Sequence, residues 1–290
     1  MGILLGLLTA LSWGGSDFLA RFATHRIGAL RTMLYMQFTG FVLLTIFLPW
    51  LGGWGHLSDG SGWQPWAWGV LAGSLNFIAT LSLYRSFEIG KLAVVAPISA
   101  SYPVLTVLLS VLSGEHLRTA RALGIAFTLL GVVLVAAGEK PPDENDALSP
   151  RPAGKGITLA FCSAIGFGFL FWLLGTRIVP ATGATQTVWL IRLTSSALTA
   201  AFILAARQPI QPPADRVAGW ILAMGLTDTG AFVMNNFGMR VEQVAVVSVL
   251  ASLYGAVTVG LAAIFLREHV SRWQWLGIIA IFAGIFLISR

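Results

Sequence analysis

The chain has a single cysteine, four histidines and few charges: Asp, Glu, Lys and Arg make up 10% of its 290 residues. An ordinary soluble domain carries roughly a quarter. With one cysteine, Cys162, there is no intrachain disulfide, and the redox compartment stays open. The shortage of charge goes with 56% hydrophobic residues and a mean hydropathy of +0.80. A soluble fold could not hide that much apolar surface in one core, so the composition points to a membrane. A P-loop, HExxH, CxxC and GxSxG are all missing, so no motif asks for ATP hydrolysis or catalysis. The chain is therefore expected not to be an enzyme and to need no cofactor and no metal.

The net charge of +6 does not indicate a nucleic-acid partner. Lys and Arg stand singly beside apolar runs, with no basic cluster or reader motif. That is their usual place in a membrane protein.

A helix crosses the bilayer core with about 20 mostly apolar residues. Ten segments qualify: 2–22, 30–51, 66–86, 92–112, 119–138, 155–176, 184–206, 217–239, 243–265 and 272–289. The first has no basic n-region and is as long as the others, so it is read as a spanning helix and not a cleaved signal. Period-2 alternation is absent, which leaves helices as the spanning structure.

The chain also repeats itself. SGEHLRTARALGIAFTLLGVVL at 113–134 returns as LREHVSRWQWLGIIAIFAGIFL at 266–287. Glu115-His116 becomes Glu268-His269, Gly124 becomes Gly277 and Gly131 becomes Gly284, each 153 residues on. Residues 92–101 align with 245–254 at the same offset. The hydrophilic linker, EKPPDENDALSPRP, falls at the midpoint. The expected organisation is a five-helix repeat at 1–138, a linker at 139–153 and a second repeat at 154–290. Five is odd, so the second repeat enters the membrane from the opposite side. Two like halves in opposite orientations can pack in two near-equivalent ways, one open to each side, which gives alternating access.

Trp13-Gly14, the run Pro97…Tyr102-Pro103, Gly114-Glu115 and the pair Gly124…Gly131 stand in a characteristic order. In these residues the chain resembles the drug/metabolite transporter superfamily, in its ten-helix EamA-type branch, and is similar to the aromatic amino-acid exporters. The resemblance implies an all-α integral membrane protein: ten transmembrane helices as two inverted five-helix repeats around a central cavity. It implies a cavity lined by helices 1, 3, 4, 6, 8 and 9, with the fifth and tenth outside. It also implies export of amino acids and other small metabolites, while more distant relatives move sugars or nucleotide sugars. Leu250 and Ala256 stand where the first half has Pro97 and Pro103, so unequal hinging of the halves is expected.

Polar groups inside a membrane are costly and point to a cavity or a partner. Asp17, Arg192 and Asp228 are the intramembrane charges, for coupling or for structure. Asp17 is one turn from Arg21 and can pair with it; Asp228 can pair with Arg192 or face a cavity. Asn76, Thr80, Tyr84 and Glu88 share a face of the third segment, and Asp228, Phe232, Asn235 and Asn236 a face of the eighth. Mixed amides and rings suit a zwitterionic solute with an apolar or aromatic side chain; interhelical hydrogen bonding is the other reading. Ser99 and Tyr102 lie between Pro97 and Pro103, which each remove a backbone hydrogen bond, so a bend with free carbonyls is expected there. Ser248, Ser252 and Gly255 share a face of the ninth segment, as hinge and binding residues or as close packing. Trp13, Trp172 and Trp189 lie deep, while Trp50, Trp54, Trp63, Trp66 and Trp68 are interfacial anchors.

The connections after odd-numbered segments hold twelve Lys and Arg, the others with Arg290 five. Charge therefore puts both termini outside, whereas the resemblance implies both inside. The expected protein is a multi-pass protein of the cell (inner) membrane, monomeric or homodimeric. Its partners are the lipid bilayer and a small-molecule solute. Its function is secondary transport, foremost export of hydrophobic or aromatic amino acids. The alternatives are an importer or exchanger of sugars or nucleosides, and a receptor or enzyme subunit that transports nothing.

Overall fold

The structure, a computed structural model, describes residues 1–90, 92–137, 153–266 and 272–288. Most of the linker, the Glu268-His269 pair and Arg290 lie outside these residues. Among the described residues all regular structure is helical. The first half contains α1 (Gly2–Ile27), α2 (Ala29–Phe47), α3 (Gln64–Ile89), α4 (Leu92–Ser99), α5 (Pro103–Leu112) and α6 (Thr119–Ala137). The second contains α7 (Ala153–Leu173), α8 (Val179–Thr182), α9 (Ala184–Ala205), α10 (Asp215–Val241), α11 (Val244–Ala251), α12 (Tyr254–Leu266) and α13 (Arg272–Ile288). A π-helical turn, Leu174–Ile178, joins α7 to α8 just before Pro180, whose ring nitrogen has no hydrogen to donate. Gly28 (φ 82°) and Gly183 (φ 94°) form the tight turns before α2 and α9, in a conformation that a side chain would strain.

Among the described residues seven helical stretches are long and apolar enough to cross a membrane, from Gly2–Ile27 to Val244–Phe265, which takes in α11 and most of α12; Pro103–Leu112, Thr119–Gly131 and Trp275–Gly284 are shorter apolar helices. The fourth expected segment, 92–112, is not one continuous helix. It breaks at 100–102 into α4 and α5. There the Ser101 amide and hydroxyl both donate to the Ile98 carbonyl (3.1 and 2.7 Å), and the Tyr102 amide donates to Ser99 (3.3 Å). Both carbonyls are thus occupied within the turn instead of free for a ligand.

The ninth segment breaks as well, at 252–253, although leucine and alanine stand there in place of the two prolines. Ser252 Oγ donates back to the Val249 carbonyl (2.7 Å), while Leu253 and Gly255 donate three residues back (3.2 Å each). A serine that bonds to its own preceding turn loosens a helix without proline.

The outer surface is apolar: Leu4, Leu8 and Leu11 of α1, Phe127 and Leu130 of α6, and Ile279 and Phe282 of α13 are exposed. The interior instead holds polar side chains, with Ser16, Gln37, Asn76 and Arg192 at 0% exposure. Helices in lipid gain little from apolar burial and associate through small residues and hydrogen bonds. α1 packs on α10, and α7 packs correspondingly on α3. α6 and α13 touch through the repeated glycines. A methyl built on Gly131 would lie 2.6 Å from the Gly277 carbonyl oxygen, and one on Gly284 would lie 2.6 Å from that of Gly124. Position 124 meets 284 and 131 meets 277, so the two helices run antiparallel.

Successive connections gather at opposite ends of the bundle. At one end Arg121 donates to Glu242 (2.6 Å) and Gln243 (2.8 Å), Gln243 donates to the His116 carbonyl (2.8 Å), and the Ala245 amide donates to Glu115 (3.3 Å). These bonds tie the 115–121 region to the 242–245 region. Burial pushes the Glu115 carboxyl up, against hydrogen bonds from Ala245 and Ser110. Burial also opposes charge on Glu242, but the Gln243 amide and Arg121 outweigh it and hold that carboxyl below its ordinary range. At the other end a vestibule is lined by His25, Arg85, Glu88 and Lys155 among others.

Candidate functional site

Midway along the bundle six segments converge on one cavity. α1 contributes Trp13 and Asp17, and α3 contributes Thr80, Leu83 and Tyr84. Tyr102 comes from the α4–α5 break, Phe167 and Phe171 from α7, Asp228 and Phe232 from α10, and Tyr254 from the start of α12. These are the first, third, fourth, sixth, eighth and ninth segments, as the resemblance implied. Little room is left between the walls, a cavity of about 30 Å³.

The rings touch one another. Trp13 lies 5.4 Å from Phe171, 5.2 Å from Phe232 and 6.2 Å from Tyr254, centroid to centroid. Tyr102 lies 4.9 Å from Phe171 and stacks on Tyr254 at 6.4 Å. Such contacts form a close aromatic plug, and a solute would enter only as the rings part. The Tyr102 hydroxyl donates to the Ser248 carbonyl (3.0 Å), tying the α4–α5 break to α11.

Both carboxylates in the cavity are on helices, and their surroundings differ. Asp228 is ion-paired with Nη2 of Arg192. Arg192 is 0% exposed; its other arm donates to Gln37 Oε1 (2.5 Å) and its plane lies 5.1 Å from the Phe232 ring centroid. Arg192 therefore sits behind the wall and does not line the cavity. Asp17 forms no ion pair among the described residues. Arg21, one turn along α1, instead donates to the carbonyls of Phe87 (2.7 Å) and Gly90 (2.9 Å), which corrects the expected Asp17–Arg21 pairing.

Of the residues singled out in the sequence, Trp13, Asp17, Thr80, Tyr84, Tyr102 and Asp228 meet in this cavity. Others lie outside it, some of them tying helices together. Asn76 donates to Ser195 Oγ (3.1 Å) and accepts from Thr80 (3.4 Å). Asn236 donates to the Ala184 carbonyl (3.1 Å) and Asn235 to Met239 Sδ (3.6 Å). Ser99 reaches the Ala160 carbonyl (3.5 Å), and Ser252 bonds within its own turn. Trp172 donates to Ser113 Oγ (2.9 Å), beside the end of α5 and away from the cavity. Pro103 opens α5, Gly255 is the second residue of α12, and Pro97 lies inside α4, before the break. Sequence reasoning missed Leu83, Phe167, Phe171, Tyr254 and Gln37. Gln37, a lone amide in an apolar run, and Tyr254, aligned near Tyr102, carried usable signals; the phenylalanines did not. Among the described residues no group of His, Cys, Asp and Glu could hold a metal ion.

The sequence pattern of the EamA-like transporter family matches residues 1–137 and, a second time, 154–290. The chain belongs to the EamA-like transporter family. It is thus a multi-pass membrane protein of a family that transports small molecules. An uncharacterized protein of Methanocaldococcus jannaschii is 28% identical over 136 residues, which is 46% of this EamA-like chain and 95% of that relative. The relative is thus about the size of one matched segment. A solved crystal structure of a protein has the same fold, with a TM-score of 0.78, 19% identity, and coverage of 99% of this chain and 96% of its own.

Proposed function

We propose that the protein is a secondary transporter that works by alternating access and exports amino acids, hydrophobic and aromatic ones included, across the cell membrane. Its ten spans form two inverted five-helix repeats, 1–138 and 154–290, joined by the linker 139–153. The crossed antiparallel contacts of Gly124 with Gly284 and Gly131 with Gly277 support the inversion. Each half supplies to the other what it receives, as a two-fold relation requires.

The observation that carries the transport reading is the cavity itself: it lies between the two family-matched segments and draws on both. Trp13, Thr80, Tyr84, Tyr102 and Asp228 contact the solute. The breaks beside Pro103 and Gly255 flank it and are the hinges. One end of the bundle is tied across the halves by Arg121 and Glu242. The other has the vestibule, whose Thr24, Glu88 and Leu159 lie on α1, α3 and α7, the helices that carry Asp17, Tyr84 and Phe167 to the cavity. Asn76 and Asn236 hold the walls in place by bonding to α9.

The test is uptake of labelled tryptophan, phenylalanine, threonine and methionine into liposomes holding the purified protein, against empty liposomes and an Asp228→Asn variant. Saturable uptake, competed by unlabelled amino acids and reduced in the variant, is expected. No uptake of any of them by correctly inserted protein would overturn the amino-acid reading.

A further inference from the structure

The charges in the cavity wall are all of one sign. Asp17 and Asp228 line it, and among the described residues no Lys, Arg or His does. Asp228 is compensated from behind by Arg192. Asp17 is 6% exposed and has no ion pair among the described residues. An ionised carboxylate withdrawn from water is costly until a cation joins it. Trp13 precedes Asp17 by one helical turn, so its indole shares the face of α1 that carries the carboxylate. Phe171, Phe232 and Tyr254 close around that indole at 5.2 to 6.2 Å. The Tyr254 hydroxyl is buried without a hydrogen-bond partner among the described residues.

Aromatic faces grouped around an uncompensated carboxylate are how proteins hold an ammonium group, through ring quadrupoles and charge together. The opposite end of an amino acid finds nothing comparable here. A carboxylate in this cavity would meet Asp17 and Asp228 and, among the described residues, no cation in the lining; Arg192 lies behind the wall with its two terminal nitrogens on Asp228 and Gln37.

The geometry points to a site that recognises the ammonium end of its solute: the substrate class is hydrophobic or aromatic monoamines, bound as cations, with Asp17 as the counter-charge and Trp13 as the cation–π face. The inference rests on the reading that this cavity is the solute site, and it departs from that reading on which group of the solute is recognised. An amino acid binds through its ammonium, and its carboxylate weakens the binding.

The experiment is equilibrium binding of labelled phenethylamine and tryptamine to the full chain in nanodiscs. The competitors are phenylalanine, tryptophan and the matching acids without an amine, phenylpropionate and indolepropionate. The amines should compete at least about tenfold better than the amino acids, and the acids not at all. Asp17→Asn should lose about tenfold or more in amine affinity with an unchanged melting temperature, and Asp17→Glu should recover part of it. Tighter binding of amino acids than amines, or undiminished amine binding in Asp17→Asn, would overturn the inference. Amine binding with no amino-acid transport would sustain it and sink the amino-acid reading. Amino-acid transport that amines do not compete would do the reverse. If neither class binds to protein of normal melting temperature, both fall.

Discussion

Gly131 of α6 lies so close to α13 that a methyl placed on it would stand 2.6 Å from the Gly277 carbonyl oxygen and 2.7 Å from Ile281 Cγ1. Backbone cannot swing aside as a long side chain can, so Gly131→Ala must push the helices apart. A loss of about 1–3 kcal/mol is expected, read as a lower melting temperature in detergent. Gly284→Ala, facing Gly124 in the same way, should match it. Gly219→Ala in α10, where an added methyl meets nothing within 4 Å, should be neutral or stabilising.

Arg192 and Asp228 depend on each other inside the bundle. Arg192→Leu strands the carboxylate and also unpairs Gln37, and a cost of about 3–5 kcal/mol is expected. The double variant Arg192→Leu/Asp228→Asn should regain much of the lost melting temperature, because no unpaired charge remains. Additive losses in the double variant would show that the pair is not the source of the cost.

Tyr102→Phe keeps the ring contacts with Phe171 and Tyr254 and removes only the hydrogen bond to Ser248. The expected cost is about 0.5–1.5 kcal/mol. Because that bond ties the α4–α5 break to α11 across the two halves, the transport rate should change more than the solute affinity does.

Glu115 and Glu242 should answer pH in opposite senses. Glu115 is pushed up by burial, so the stability linked to it is present in acid and lost as pH rises through its folded value. Glu115→Gln should therefore melt higher than the native protein at about pH 7 and no higher at about pH 3.5. Glu242 is held below its ordinary range, so its contribution is present at neutral pH and lost as pH falls. Arg121→Ala should destabilise at about pH 7, and the difference should shrink in acid.

How much of this was legible in the sequence followed the cost of each residue type in lipid. Asp17, Tyr84, Tyr102 and Asp228 stood out because a polar group in an apolar run needs a reason, and the cavity supplies it. The same signal marked Asn76 and Asn236, whose reason is helix-to-helix hydrogen bonding, and Asn235, which bonds within its own helix; an amide looks alike in all these roles. Phe167 and Phe171 gave no signal, since a phenylalanine in a spanning helix faces lipid as readily as a cavity. The proline-free break at 252–253 was hidden because serine bends a helix only when its hydroxyl turns back on the preceding carbonyl. The repeated glycines stood out as a repeat, but only the fold shows that 124 meets 284 and 131 meets 277.

The most direct test of the central claim is counterflow. Liposomes holding the protein and loaded with unlabelled phenylalanine are diluted into a trace of labelled phenylalanine, with no ion gradient. Alternating access through one occluded site predicts a transient accumulation of label above the level in unloaded proteoliposomes, abolished in liposomes without protein. Equal, merely equilibrating uptake in loaded and unloaded vesicles would mean an open pore, and would contradict the account.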